Sequence, residues 1–269
     1  MKLFFNHKIF SVIIILIFAQ NTFAKTTISE TNKNNKVGNI TIFSESNMMY
    51  SLVKISRLYS KTHNSIASVI FNNSAELIQN IDGGEPVDIF IASHSDWSDI
   101  LKQKGLIDVY NITNVAQDKL VLITSKRNSK IDALNINQSS ELSEIINNIS
   151  QMQLPLIIDS PNTSLGKYTQ TALAGIDIFS YKIYPKAVDD KKSVISFVNE
   201  NDEYCAIVLL SSVKNYYDIV VLKTIDNIDI YYQAFVIAGN NMEKARDFSK
   251  FLDSEPVQNI FVENGFIVQ

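Results

Sequence analysis

The chain has 269 residues, 24 Lys and Arg against 28 Asp and Glu for a formal net charge of −4, and 46% hydrophobic residues. That length supplies one large domain or two modest lobes with ample material for a core. The mild acidity argues against nucleic acid or an anionic membrane surface as partner, so any anion held here is held by local geometry against the overall field.

Residues 1–24 carry Lys2 and Lys8, an apolar stretch from Ile9 to Ala19 and then Thr22-Phe23-Ala24. This is the charged, apolar and small-residue order of a secretory signal peptide, with cleavage expected near Ala24. The apolar stretch is short for a membrane span, and an uncleaved anchor is the alternative. No cysteine follows it to take a lipid. Residues 25–37, polar and without periodicity, are expected to form a disordered tail. Cys205, the single cysteine, lies in the apolar run "CAIVLL" and reads as a buried small hydrophobe, so stability must come from the core and not from disulfides.

From residue 38 onward, strand-like and helix-like patterns alternate. Ile40–Phe43, Ile66–Phe71, Val87–Ala92, Leu120–Thr124, Leu156–Ile158, Cys205–Leu210 and Ile219–Leu222 read as strands. Several are apolar throughout, the mark of a parallel sheet covered by helices on both faces. Met48, Met49, Leu52, Val53 and Tyr59 recur at helical spacing, and Trp97, Ile100 and Leu101 precede Gly105 at a helix end. The stretch "NMEKARDFSKFLDSEPVQNIFVENGF" predicts two helices broken near Ser254 to Pro256. The order implies an α/β fold with right-handed crossovers.

In such folds ligands bind beyond the carboxyl ends of strands, where loops enter helices. Four of these loops are rich in small polar residues. Ser46 and Asn47 follow the first strand, and Asn72-Asn73-Ser74 follow the second, with Ser74 read as a helix cap. Pro161 to Ser164 lie in the third loop, and Asp189 to Ser193 precede the helix around Val194 to Val198. Each loop alone is explained by helix capping. Four together suggest converging helix starts whose backbone N–H groups hold an anion without formal positive charge. Gly166-Lys167 does not make a phosphate-binding P-loop, because the upstream glycine is missing and Tyr168 stands where Ser or Thr is needed.

Four stretches, "ITIFSESN", "GGEPVDIFIASHSDW", "DSPNTSLGKYTQTAL" and the terminal "FSKFLDSEPVQNIFVENGF", together resemble the periplasmic molybdate-binding proteins of ABC transporters. The likeness runs over essentially the whole chain beyond the leader. It implies a type II periplasmic binding protein-like fold of two Rossmann-like α/β lobes joined by two crossover strands, near Lys119–Thr124 and Tyr231–Ile237. Lobe one would hold residues 38–118 and 233–269, and lobe two residues 119–232. Ser46-Asn47 resembles the Thr-Asn pair of one branch, and Ser74 matches the family's second-loop serine. Leu165 and Lys191 fall where the third and fourth loops give backbone N–H groups. Leu209 stands where some members carry a tyrosine. The resemblance thus implies a monomeric, non-enzymatic periplasmic protein with no cofactor and no protein-bound metal. It would capture molybdate or tungstate through Ser46, Asn47, Ser74, Leu165 and Lys191 and deliver it to an inner-membrane permease.

Glu45 sits awkwardly in this picture, because a carboxylate beside an anion site repels its ligand unless it points away, and Lys191 is the residue that could offset it. Phosphate monoanion and sulfate are alternative cargoes: Glu45 suits the first as an acceptor for its proton, whereas a buried carboxylate excludes the second. An exported interaction protein using the aromatics of "KNYYDIV" and "IDIYYQAF" is a further alternative. An enzyme is disfavoured. His63 lies in a polar turn, His94 with Asp96 and Asp99 fits no standard zinc spacing, and there is no Gly-x-Ser-x-Gly elbow.

Overall fold

The computed structural model describes residues 38–134, 136–137, 139–176, 183–185 and 193–268. The leader, the tail and residues 189–192 of the fourth loop, Lys191 among them, lie outside the described residues. The first strand, β1 (Gly38–Glu45), runs parallel to β2 (Ser65–Asn72) and to β3 (Ile89–Ala92). Ser46–Met48 forms a 3-10 turn that leads into α1 (Met49–Thr62). The buried stripe of this segment is Met48, Leu52, Ile55 and Tyr59, whereas Met49 is exposed and Val53 half-buried. The expected helix is therefore present with Met48, Leu52 and Tyr59 inward as expected, and with Ile55 in place of Met49 and Val53.

The next helix, α2 (Ser74–Asp82), is capped by Asn73, whose side chain accepts from the Glu76 N–H at 2.9 Å. The cap expected at Ser74 is thus one residue earlier, and the Ser74 hydroxyl is left for another partner. The helix α3 (Ser95–Gln103) ends at Lys104-Gly105, where Gly105 takes φ +67°.

Two strands run far beyond their apolar cores. The strand β4 (Ile107–Ser125) has 19 residues, as does its antiparallel partner, whose range is Ile219–Ile237. Between them in the chain lie α4 (Leu142–Gln151), β5 (Leu156–Ile158), α5 (Ser164–Ala172), β6 (Ile183–Pro185), α6 (Val194–Glu200), β7 (Cys205–Leu209) and α7 (Leu210–Val213). With β8 denoting Ile219–Ile237, the sheet order is β2-β1-β3-β8-β4-β7-β5-β6. Here β5 is parallel to β6 and β7, while β3 joins β8 and β7 joins β4 antiparallel. One sheet thus contains two parallel portions, stitched together by the long pair.

The portions are covered on both faces, which explains their uninterrupted apolar runs. Alternate residues of β1 and β3 separate cleanly. Ile40, Ile42, Ile89 and Ile91 face the cluster with Leu52, Ile55 and Phe248, whereas Phe43 and Phe90 face Leu77, Trp97 and Leu101. In the second portion Leu122, Leu156 and Cys205 face one side, and Val121, Ile157 and Val208 the other, with Val194 and Val198 of α6. Cys205 is fully buried as expected, and burial pushes its thiol up to about 12.

The chain closes with α8 (Met242–Leu252) and α9 (Glu255–Glu263), broken at Asp253-Ser254 with Pro256 in the first turn of α9. These helices pack against α1 and the first portion of the sheet. Between Val115 and Lys119, β4 pairs with β8 but not with β7, and it carries register shifts at Asn114/Ala116 and Asp118/Leu120. There the C-terminal Ile267 exchanges backbone hydrogen bonds with Gln117, at 2.7 and 2.9 Å.

Candidate functional site

Four chain segments meet where β1 ends. Glu45 is the last residue of β1 and the residue preceding the 3-10 turn, and it is only 7% exposed. Its carboxylate is surrounded by hydroxyls. Ser74 at the start of α2 and Ser164 at the start of α5 both donate to Oε1. Ser93, between β3 and α3, donates its N–H to Oε1 at 3.4 Å and its hydroxyl to Oε2 at 3.1 Å. Ser74 and Ser93 come from the first parallel portion, Ser164 from the second. Burial raises the Glu45 carboxyl above its ordinary value, and the hydrogen bonds from Ser164, Ser74 and Ser93 only partly oppose this.

The ring is braced from both sides. Trp97 of α3 donates its indole N–H to the Ser164 hydroxyl at 2.7 Å. Tyr168 of α5 donates to the Ser93 carbonyl at 2.7 Å. Lys167 pairs with Asp96 at 2.7 Å while lying 4.9 Å from the Trp97 ring centroid. His94 caps α3 by accepting from the Asp96 N–H, and its ring packs against Tyr168 with centroids 4.8 Å apart. Burial lowers the His94 pKa, with Asp96 opposing and Lys167 reinforcing, so neutral imidazole suits the capping role. Beside the ring a cleft of about 420 Å³ opens between Ser93, His94, Asn114, Tyr168, Asp229 and Tyr231.

Of the expected site residues, Ser74 is in the ring. Leu165 adjoins Ser164 in the first turn of α5, where its N–H has no intrahelical acceptor. Ser46 is exposed, and Asn47 donates its amide to the hydroxyl of the fully buried Tyr232. The 3-10 turn directs Ser46 outward because Met48, not Ser46, fills the core at this point. Lys191 lies outside the described residues, and so does any offset it gives to Glu45. Leu209 is buried in β7.

Glu45 points into the site, not away from it. Ser93, Ser164, Trp97 and Tyr168 are not among the residues that sequence reasoning assigns to the site. Ser93 follows a strand and precedes a helix just as the four noted loops do, so the same pattern is the signal that finds it. The exposed aromatics Tyr217 and Tyr231 flank buried or half-buried neighbours, Tyr232 and Tyr216, so neither aromatic stretch presents a continuous exposed face.

Chemically, the ring is a cage of hydroxyl and backbone donors closed around the two oxygens of one buried carboxyl group. Residues 40–267 match the family model described as bacterial extracellular solute-binding protein. The chain is 23% identical over 234 residues to the molybdate-binding protein ModA of Haemophilus influenzae, covering 84% of this chain and 89% of that one. Among solved structures, it is similar to the substrate binding domain of a molybdenum ABC transporter protein from Clostridium difficile. That likeness has TM-score 0.66 and 24% identity, over 86% of this chain and 99% of the other. It is also similar to the sulfate-binding protein SubI of Mycobacterium tuberculosis, with TM-score 0.69 and 14% identity over 85% and 86%.

Proposed function

The chain belongs to the bacterial extracellular solute-binding proteins, and from that membership we propose that it captures a tetrahedral oxyanion, molybdate or tungstate, for an ABC importer. It would work outside the cytoplasm as a monomer, without catalysis or cofactor, and present its closed form to a membrane permease. Lobe one comprises residues 38–118 and 233–269, lobe two residues 119–232, and the long β4–β8 pair is the hinge between them.

The observation that carries this reading is the convergence of Ser74, Ser93 and Ser164, from both parallel portions of the sheet, on the two oxygens of one buried carboxyl group. Donors of this kind suit an oxyanion in an acidic protein, because hydroxyl and backbone dipoles supply the local positive potential. Leu165 adds a backbone N–H from the start of α5, and Lys191 would add another from the fourth loop. The molybdate-binding relative supports the choice of cargo. A second reading, hydrogen phosphate, is favoured by one feature: Glu45 lies in the ring as an acceptor for a ligand proton.

The test is thermal unfolding of residues 25–269 with molybdate, tungstate, sulfate or phosphate. A ligand bound only by the folded state raises the midpoint by mass action. Molybdate and tungstate are expected to raise it, and Ser74→Ala to weaken their binding by about 1–3 kcal/mol through loss of a donor to a charged group. A rise with phosphate alone would transfer the assignment to the second reading, and no rise with any anion would refute both.

A further inference from the structure

We infer that Glu45 is an internal ligand of the anion site, a carboxylate that holds the cleft closed in the absence of cargo and that an incoming oxyanion must displace. The inference rests on the oxyanion reading of the same ring. Its first ground is proton counting. A serine hydroxyl has one proton to donate. Ser74 and Ser164 each give theirs to Glu45, and the Ser93 hydroxyl does the same. Ser164 is also occupied as an acceptor, by the Trp97 indole. Nothing is left in these three side chains for a second anion while the carboxylate stays.

The second ground is charge. A dianion drawing on these donors would lie within contact range of the Glu45 carboxylate, and the two like charges repel in a buried site. The carboxylate and the cargo therefore exclude one another from the ring.

The third is topology. Glu45 ends β1 in one parallel portion, and Ser164 begins α5 in the other, so their bond spans the cleft. Three further bonds cross with it: Trp97 to Ser164, Tyr168 to the Ser93 carbonyl, and Lys167 to Asp96. The closed arrangement that an oxyanion would stabilise is thus stabilised by the chain's own side chain. The cleft of about 420 Å³ beside the ring is lined by Ser93 and Tyr168, the two residues of one of these crossing bonds.

If the self-liganded form outnumbers the open form about ten to one, the apparent affinity for cargo falls about tenfold. Glu45 then sets both the affinity and the resting shape.

The experiment compares residues 25–269 with Glu45→Ser and Glu45→Gln by X-ray scattering, emission of Trp97 and molybdate titration. Trp97 is the only tryptophan, and its indole bonds the ring, so its emission reports on the ring directly. Without ligand, Glu45→Ser is expected to be larger than the parent protein, with shifted emission. It should bind molybdate at least about tenfold more tightly and return to the compact size on binding. Equal size and emission in the variant and the parent would overturn the inference. Weaker molybdate binding by the variant would also overturn it, making Glu45 part of the ligand set. A variant that expands yet closes on no anion would uphold the internal ligand and sink the oxyanion reading. Should Glu45→Ser fail to fold, Glu45→Gln is judged by affinity: tighter molybdate binding than the parent supports displacement, and unchanged or weaker binding refutes it.

Discussion

Replacing Asp118 by Asn should stabilise the protein at neutral pH and leave it unchanged in acid. Asp118 lies in the irregular stretch of β4 and is 2% exposed. Its Oδ1 accepts from the Lys119 N–H at 2.8 Å and the Ser211 N–H at 3.1 Å, and its Oδ2 accepts from the Ser211 hydroxyl at 2.5 Å. Burial nevertheless outweighs these bonds and lifts the carboxyl from 3.8 to about 6. The folded state therefore holds the proton more tightly than the unfolded chain. The stability this gives is complete below about pH 4 and is lost as pH rises through about 6. At 1.36 kcal/mol per pH unit, the rise corresponds to about 3 kcal/mol.

Asn keeps the geometry. Its Oδ1 can take both backbone N–H groups, and its Nδ2 can donate to Ser211, whose hydroxyl rotates to accept. Urea midpoints of parent and Asp118→Asn, measured by circular dichroism at pH 4, 5, 6 and 7.5, isolate the effect. Glu45 titrates with the same sign, but it is common to both proteins and cancels in the difference. We expect an advantage for the variant of about 1–3 kcal/mol at pH 7.5 that vanishes near pH 4. A difference that is flat with pH, or that grows in favour of the variant toward acid, would refute the reasoning.

Two substitutions in α5 test its packing. Gly166→Ala places a Cβ 1.8 Å from the Ser160 carbonyl oxygen, so the loop before the helix has to move. A loss of about 1–3 kcal/mol is expected, with weaker anion binding because Ser164 shifts too, and an unaltered midpoint would contradict it. Thr169 is fully buried, and its hydroxyl has no partner among the described residues. Thr169→Val removes that unpaired group at constant shape and should raise stability by about 1 kcal/mol in chemical denaturation, whereas a clear loss would reveal a bonded hydroxyl.

Strands buried on both faces are legible in sequence. A run such as Ile89 to Ala92, apolar at every position and too short for a helix, fits a strand covered on both sides. The outer half of β4 is not legible in the same way. Residues 107–118 mix Asp, Tyr, Asn and Thr with half-exposed positions, and they form a strand only because a distant segment supplies the partner. A similar limit governs the site. Strand-to-helix loops rich in small polar residues point to the right end of the sheet and to Ser74. That Glu45 faces in is set by partners distant in sequence, Ser74, Ser93 and Ser164, the last of them 119 residues away. Ser46 shows the converse: a good capping residue by type, it is set facing solvent by the neighbouring burial of Met48.

The placement of the last helices bears on the order in which this chain can fold. β5, α5, α6 and β7 lie close together in sequence, but β3 needs β8 beside it, and the inward isoleucines of β1 and β3 share their cluster with Phe248 and Phe261. A chain emerging N-terminus first therefore holds its first strands with α1, α2 and α3 in place but their cover incomplete until the last helices follow. Ile267, the partner of Gln117, arrives last of all. The segment carrying Glu45 thus gains its full set of neighbours late, and the cage is expected to be among the last parts of the fold to assemble.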